Sequence, residues 1–401
     1  MKNALCLMVF LLWISHSVNA QDLNFTNNKT TTDQIKKPVN STAETYINKS
    51  RSTLVDTPLN EDLKSLLVAP MVVTATKFPT QMDKTGNTIR VITKQELTKL
   101  GVSSVTEALG LISNVSISQS GGLDTVFMRG MHSGSTKILL NGIELNDPIS
   151  TNGQPMIASI AFSTIDQIEV VSGAKGTIYG AASQAGVINI ITSTTTPVNS
   201  INAEYAGANY KLNGGLSTQI NEFNIFLNST YETENSDSLL VNTPEIDKRN
   251  LQSIALSVNK PLINNSKLST FYTYNNLHQD LDNSTTDDKN YVNETTQHLG
   301  TIQYDWKLKS NVLFKIGYTK TITQRDYTNT PDSQSDVVSR NARYKSNIDK
   351  VFINSKYAVN AQNNIVFGLD IVNETGEFVD NGSSALGAYS SNQGNSDQSR
   401  A

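Results

Sequence analysis

The chain has 401 residues, a formal charge of −4 and a single cysteine, Cys6. So mild an acidity leaves no electrostatic footprint for nucleic acid. One cysteine, placed in the extreme N-terminal segment, excludes a disulfide-stapled domain, a cysteine metal site and a thiol nucleophile in the rest of the chain.

Residues 1–20 read as a secretory signal peptide. Lys2 is the positive start, Ala4 to Ile14 the apolar core, and Val18-Asn19-Ala20 a small-residue cleavage site before Gln21. The core is short for a bilayer span. Its removal takes Cys6 away and moves the charge to −5, because Lys2 is the only charged residue it holds. No later stretch has the length of a transmembrane helix, which leaves an exported chain two fates, soluble export or a β-barrel.

Residues 21–69, rich in Thr, Asn, Ser and Lys, bury too little to offset chain entropy and are predicted to be a linker. Residues 70–76 (PMVVTAT) are a short β-prone run beside a proline. An exposed, extended strand of this kind could add itself to a partner's sheet edge. From 77 to 195 strands mix with helices: Ile89–Ile92, Val126–Gly130, Lys137–Asn141, Ile165–Val171 and Gly186–Thr192 as strands, a helix after the Thr93/Glu96 capping spacing, and another over Val105–Ile112. This predicts a compact α+β unit.

After Val198 the pattern becomes period two, as in Val312, Phe314, Ile316 and Tyr318. Nine strands are predicted, near 199–207, 209–220, 222–234, 250–261, 266–277, 297–308, 311–323, 343–359 and 364–374. Tight turns alternate with long polar connections at 235–249, 278–296 and 324–342, as in a membrane barrel. Ser390 to Ala401 reads as an extracellular loop. Nine strands do not close a barrel, and one wide enough to hold the preceding α+β unit takes about 22, so the chain is expected to be a fragment, a frameshifted product or part of a split protein.

Catalysis is not expected. The histidines are scattered, no G-x-S-x-G elbow is present, and Gly173-Ala174-Lys175-Gly176 lacks P-loop spacing. Arg129 and Glu169 sit on or beside apolar strands, where an unpaired charge is costly. They are predicted to lie together or to share one charge network with groups of the barrel wall. Gly130, Gly142, Gly173, Gly180 and Gly186 fit sharp turns or close packing.

Three segments in this order, Arg129-Gly130, Lys137 to Gly142 and Ile165 to Ile191, resemble the plug domain of TonB-dependent outer-membrane transporters. The resemblance extends over about residues 70–375 and departs at Asn141, where the family has Asp, and at Ala174, where it has Pro. It implies an α+β plug at 77–195 followed, over 196–401, by the first strands of an antiparallel transmembrane barrel in a Gram-negative outer membrane. Met71, Val72, Val73, Thr74, Ala75 and Thr76 resemble the TonB box, which implies the C-terminal domain of TonB and its inner-membrane motor as partners, besides outer-membrane lipid. Arg129, Gly130, Asn141, Gly142, Glu169, Gly173, Tyr179, Gly180, Gly186 and Asn189 become structural plug positions.

The implied cargo is a scarce nutrient, cobalamin or a ferric siderophore or other metal chelate, with the cobalamin branch nearest in plug length. Its contacts are expected from plug loops, at Ser120, Asp124, His132, Ser133, Asn146, Asp147 and Asn152. Calcium is conceivable in extracellular loops, through Asp237 and Asp247 or the acidic stretch with Asp280, Asp282, Asp287 and Asp288. The competing readings are a non-transporting remnant or adhesin-like surface protein, and a secreted soluble β-protein.

Overall fold

The computed structural model describes residues 70–400 apart from 121–122, 151–152, 193–198, 238–245, 283–287, 289, 332–337, 361–362 and 385–386. The signal peptide, the linker, Asn152 and Asp287 lie outside these residues, as do the side chains of Ser120 and Asp237.

The α+β unit begins with β1 (Met71–Val72), which pairs antiparallel with β2 (Thr80–Gln81). Next come β3 (Ile89–Thr93), α1 (Lys94–Leu100) and α2 (Val105–Gly110). Thr93 caps α1 by accepting from the Glu96 N–H at 3.3 Å, and Gly101 ends it at φ 69°. Ser104 caps α2, while Glu107 reaches back to the Ser103 N–H at 2.8 Å. The hairpin β4 (Val115–Ser120) and β5 (Leu123–Met128) stands apart from the main sheet. β5 stops at Met128, so Arg129-Gly130, predicted as strand, forms a turn with both residues at positive φ.

The main sheet adds β6 (Thr136–Leu140), β7 (Ile143–Glu144), β8 (Ile165–Ser172) and β9 (Gly186–Thr192) in the order β3-β8-β9-β6-β7. A four-residue helix, α3 (Gly176–Tyr179), lies between β8 and β9. β6 and β9 run parallel, Thr136 opposite Gly186 through Leu140 opposite Ile190. Covered on both faces, they read as near-continuous apolar runs instead of alternating ones. Ile138, Leu140, Ile168, Val170, Ile188 and Ile190 form the core with Val105, Ala108 and Leu109 of α2.

The rest is one antiparallel sheet in chain order: β10 (Ser200–Ala206), β11 (Asn209–Ile220), β12 (Phe223–Asp237), β13 (Ile246–Leu262), β14 (Ser266–Asp280), β15 (Val292–Lys309), β16 (Val312–Asn329), β17 (Ser339–Ala358), β18 (Asn364–Ser384) and β19 (Gly387–Arg400). There are ten strands where the alternation pattern predicts nine. Ser390 onward, expected as a loop, belongs to β19 and pairs with β18. Strands reach into the connections expected at 235–249, 278–296 and 324–342: β12 runs to Asp237 and β13 from Ile246, β14 to Asp280 and β15 from Val292, β16 to Asn329 and β17 from Ser339. Crossing a bilayer takes only about 9–11 residues, whereas β17 has 20 and β18 has 21. Past the lipid the outer face needs no apolar residue, so the alternation fades while the main-chain ladder continues.

Outward positions carry Ile254, Leu256, Ile302, Trp306, Ile316, Ile365, Phe367, Leu369 and Ile371, all exposed. Inward positions carry buried Asn228, Thr230, Ser253, Asn275, Thr295, Gln297, Thr321 and Thr323. Apolar outside and polar inside is the partition of a membrane barrel wall.

Gly186 joins the two halves of the α+β unit. A Cβ there would stand 2.5 Å from the Val171 carbonyl and 2.6 Å from Met128 Sδ. Gly186→Ala is therefore expected to destabilise this unit by about 1–3 kcal/mol through forced repacking. Faster amide exchange in β8 and β9 checks this, and unchanged exchange would refute it.

Candidate functional site

The segment 71–76 is expected to be an exposed strand, and the structure corrects this. Only Met71 and Val72 are strand, the chain then turns, and Val72, Thr74 and Ala75 are 0%, 1% and 2% exposed. The reason lies in Glu169, itself 0% exposed at the centre of β8, opposite Val91 and Asn189. Its carboxylate accepts from the Val73 N–H at 3.2 and 3.0 Å, the Thr74 N–H at 2.8 Å and Gln167 Nε2 at 2.8 Å. Successive backbone N–H groups make an anion cradle, and they satisfy a charge that would otherwise be costly to bury.

Thr74 is held from two further sides. Tyr179 Oη donates to its carbonyl at 2.8 Å, and Asn189 Nδ2 donates to its hydroxyl at 3.1 Å. Asn189 Oδ1 in turn accepts from the Gly142 N–H at 3.1 Å. Burial, with the Glu169 charge beside it, pushes the Tyr179 hydroxyl well above its usual range, so it remains a donor. Glu169, Tyr179, Asn189 and Gly142 are thus brought together with the candidate box.

Arg129 is not, and its predicted pairing with Glu169 is corrected. Arg129 sits in the exposed turn after β5, its guanidinium 3.6 Å from where a Cβ on Gly173 would be. Glu169 takes its partners from the candidate box and Gln167, so the alternative, a network shared with the wall, is corrected as well. Asn141, at φ 52°, turns β6 and exchanges side-chain bonds with Thr192.

Polar and charged contacts join the wall and the α+β unit at several heights. Near the short connections Lys77 pairs with Asp370 at 2.9 Å, Lys315 donates to the Lys77 carbonyl at 3.2 Å, and Lys356 donates to Thr80. Midway, Thr321 donates to the Glu144 carbonyl and Ser159 to Gln297. Toward the long connections Arg249 donates to the Ala158 carbonyl at 2.6 Å, and Arg325 meets Asp147 at 3.0 Å with both side chains buried.

The residues expected to touch cargo have other duties. Asn146 is buried and bonded to the Ile138 N–H and to the Thr136 and Gly153 carbonyls, which shapes its own loop. Asp124 is buried and accepts from Thr106 at 3.0 Å, while Ser133 is 3% exposed. His132 bonds Ser135. The register sets Asp247 opposite Ser236 and Asp237 opposite Ile246. Among the described residues no cluster of three or more His, Cys, Asp or Glu is placed to hold a metal ion.

A cluster the sequence reading missed lines the inner face near the long connections. Tyr327 packs edge-on to Tyr344 at 5.9 Å, and Tyr344 stacks on Phe378 at 5.6 Å. Arg325 lies over Tyr344 at 5.0 Å, and Arg340 lies over Tyr327 at 4.9 Å and pairs with Asp380 at 2.7 Å. Arg325 is 3% exposed; its Nη2 is the atom that meets Asp147, while its Nε has no hydrogen-bond partner. The signal was available: Thr321, Thr323, Arg325 and Tyr327 continue the inward parity of β16 past the predicted strand end at 323.

Residues 81–187 match the family model described as TonB-dependent Receptor Plug Domain, so this part of the chain is a plug domain. The whole resembles the unliganded ferric citrate transporter FecA (TM-score 0.62, 15% identity, 77% of this chain and 51% of that one). It also resembles the ferric yersiniabactin uptake receptor FyuA from Yersinia pestis (0.57, 13%, 78% and 60%). A third likeness is to the ferripyoverdine receptor of the outer membrane of Pseudomonas aeruginosa (0.59, 12%, 83% and 50%). At these identities the likeness is one of fold: a TonB-dependent receptor plug followed by part of its barrel. The chain spans about half to three-fifths of the length of these structures.

Glu169→Gln keeps the shape but replaces an acceptor with a donor facing N–H groups. It is expected to weaken the hold on Val73 and Thr74 by about 1–3 kcal/mol, read as faster amide exchange at those two residues. Arg325→Ala leaves the buried Asp147 carboxylate without its cation. That is expected to cost about 3–5 kcal/mol in the thermal stability of the plug, whereas equal stability would mean the pair contributes nothing.

Proposed function

We propose that this chain is the plug and wall portion of a receptor that takes up a ferric chelate across the outer membrane, driven by TonB pulling on residues 71–76. The outer membrane of a Gram-negative bacterium is the compartment of this fold. One observation carries the reading. Val73 and Thr74 are bonded by Glu169 of β8, Thr74 also by Asn189 of β9 and Tyr179 of α3, so force applied there reaches the central strands of the plug.

In this mechanism the partner must first separate Val73 and Thr74 from Glu169. The released N–H groups then become available to a partner's sheet edge, which replaces the lost bonds. Tyr179 and Lys77 follow, because Lys77 lies over the Tyr179 ring at 5.5 Å and is tied to the wall through Asp370. Loss of these contacts opens the interface between plug and wall.

A ferric chelate is favoured over cobalamin by the cluster near the long connections. Arg325 and Arg340 offer cationic groups against tyrosine faces, a setting suited to anionic, aromatic iron ligands. FecA, FyuA and the ferripyoverdine receptor are named for ferric chelates, which agrees with this choice. Passage through a lumen requires a closed wall. The reading therefore concerns the chain together with strands that join β10 to β19. The chain is read as a receptor and not as an enzyme.

Val73→Pro removes one N–H that Glu169 holds and that a partner strand would use. In cells carrying the protein, radiolabelled ferric chelate uptake is expected to stop with this variant and equally when the inner-membrane motor is inactive. Uptake that persists without the motor would overturn the proposal.

A further inference from the structure

Between the plug and the inner face of β13 to β17 lies a cavity of about 400 Å³. Its wall residues Asn259, Lys267, Gln303, Lys315 and Asn354 stand close to the short connections at 263–265, 310–311 and 359–363, so it occupies the end of the lumen that holds residues 71–80. Val73, Lys77 and Tyr179 form its plug side.

Its charge is one-sided. Lys77, Lys137, Lys267, Lys315 and Lys350 line it, and among the described residues no carboxylate does. Four carboxylates stand behind these five lysines, one of them Glu169, which accepts from the lining residues Val73 and Gln167. Glu144 pairs with Lys137 at 2.9 Å. Asp370 is shared by Lys77 at 2.9 Å and Lys350 at 2.7 Å. Asp305 lies on β15 with Lys267 and Lys315 as its cross-strand neighbours; Lys315 approaches it only to 3.8 Å, and Gln303 donates to it at 2.7 Å. One positive charge is left over in a half-open recess, where it is screened less than at a flat surface.

Two polar atoms at this cavity are also unsatisfied. Ser269 Oγ and Asn354 Oδ1 are buried without a hydrogen-bond partner, and Asn354 is 3% exposed. The Ser269 hydroxyl can donate to an occupant that brings negative oxygens beside the excess ammonium groups, whereas Asn354 Oδ1 only accepts and does not itself favour an anion.

We propose that this cavity binds a compact multivalent oxyanion, a polycarboxylate or phosphate. Lysine is a point charge on a flexible stem without the planar fork of arginine, so such a site selects charge more than shape. In the uptake reading it is a station for the anionic groups of the cargo on the inner side of the plug. Binding itself does not depend on that reading.

The test uses the full chain in detergent micelles at low ionic strength, with citrate or inorganic phosphate as probe and chloride at equal ionic strength as control. Lysines are acylated and quantified by peptide mass, with Lys320 and Lys345 as references on the outward parity of β16 and β17. Citrate or phosphate is expected to slow labelling of Lys267, Lys315 and Lys350 saturably and several-fold, with no change at the references. The Lys267→Gln and Lys315→Gln substitutions are each expected to weaken binding by about tenfold. Protection by chloride equal to that by citrate and phosphate, no protection by either oxyanion, or unchanged affinity in the variants would overturn the site. Saturable protection in a protein that imports no chelate would leave the site standing and retire the uptake reading alone.

Discussion

The bond set around Glu169 is the constraint on which the inner half of the molecule depends. A carboxylate at the centre of a plug strand with no exposure must find donors nearby, or the strand would not be stable there. Two of its donors are the backbone N–H groups of Val73 and Thr74, which belong to the start of the described chain. The segment that begins the plug is thereby made part of its core. Tyr179, Asn189 and Gly142 then fall into place around Thr74, because each supplies or accepts one bond in the same chain of contacts.

The wall holds the plug by a different chemistry. Apolar wall residues reach the plug core at few places, Ala255, Phe271 and Leu299 among them. Most of the grip is polar: lysines and arginines of the wall bonded to plug carbonyls, hydroxyls and one buried carboxylate. Water can replace such bonds at modest cost, whereas an apolar interlock would resist rehydration. On the proposed reading, a plug retained this way is held at rest and shifts when its first segment is pulled.

Charge is sorted by height along the lumen. Near the long connections arginines stand over tyrosine faces, with Asp147 and Asp380 as counter-charges. Near the short connections lysines outnumber the carboxylates behind them around a half-open recess. Anionic groups therefore meet favourable partners at both ends, first planar and aromatic, then flexible and purely cationic.

Much of this was legible in the chain itself. Gly186–Thr192 is a strand with the bounds its apolar run predicts, Thr93 caps its helix, and the plug resemblance agrees with the family model over 81–187. Local patterns decide these features, through side-chain period, capping and turn chemistry. Past the lipid the apolar half of the alternation is lost although the inward parity continues in β16, and so Arg325 and Arg340 were placed in a loop. Residues 71–76 have the composition of an exposed strand, and only the tertiary structure decided that they are buried, because that outcome depends on a carboxylate 95 residues away in sequence. Arg129 and Glu169 were separated for the same reason: sequence shows which charges need partners, but the partner is chosen by what the fold brings within hydrogen-bond reach.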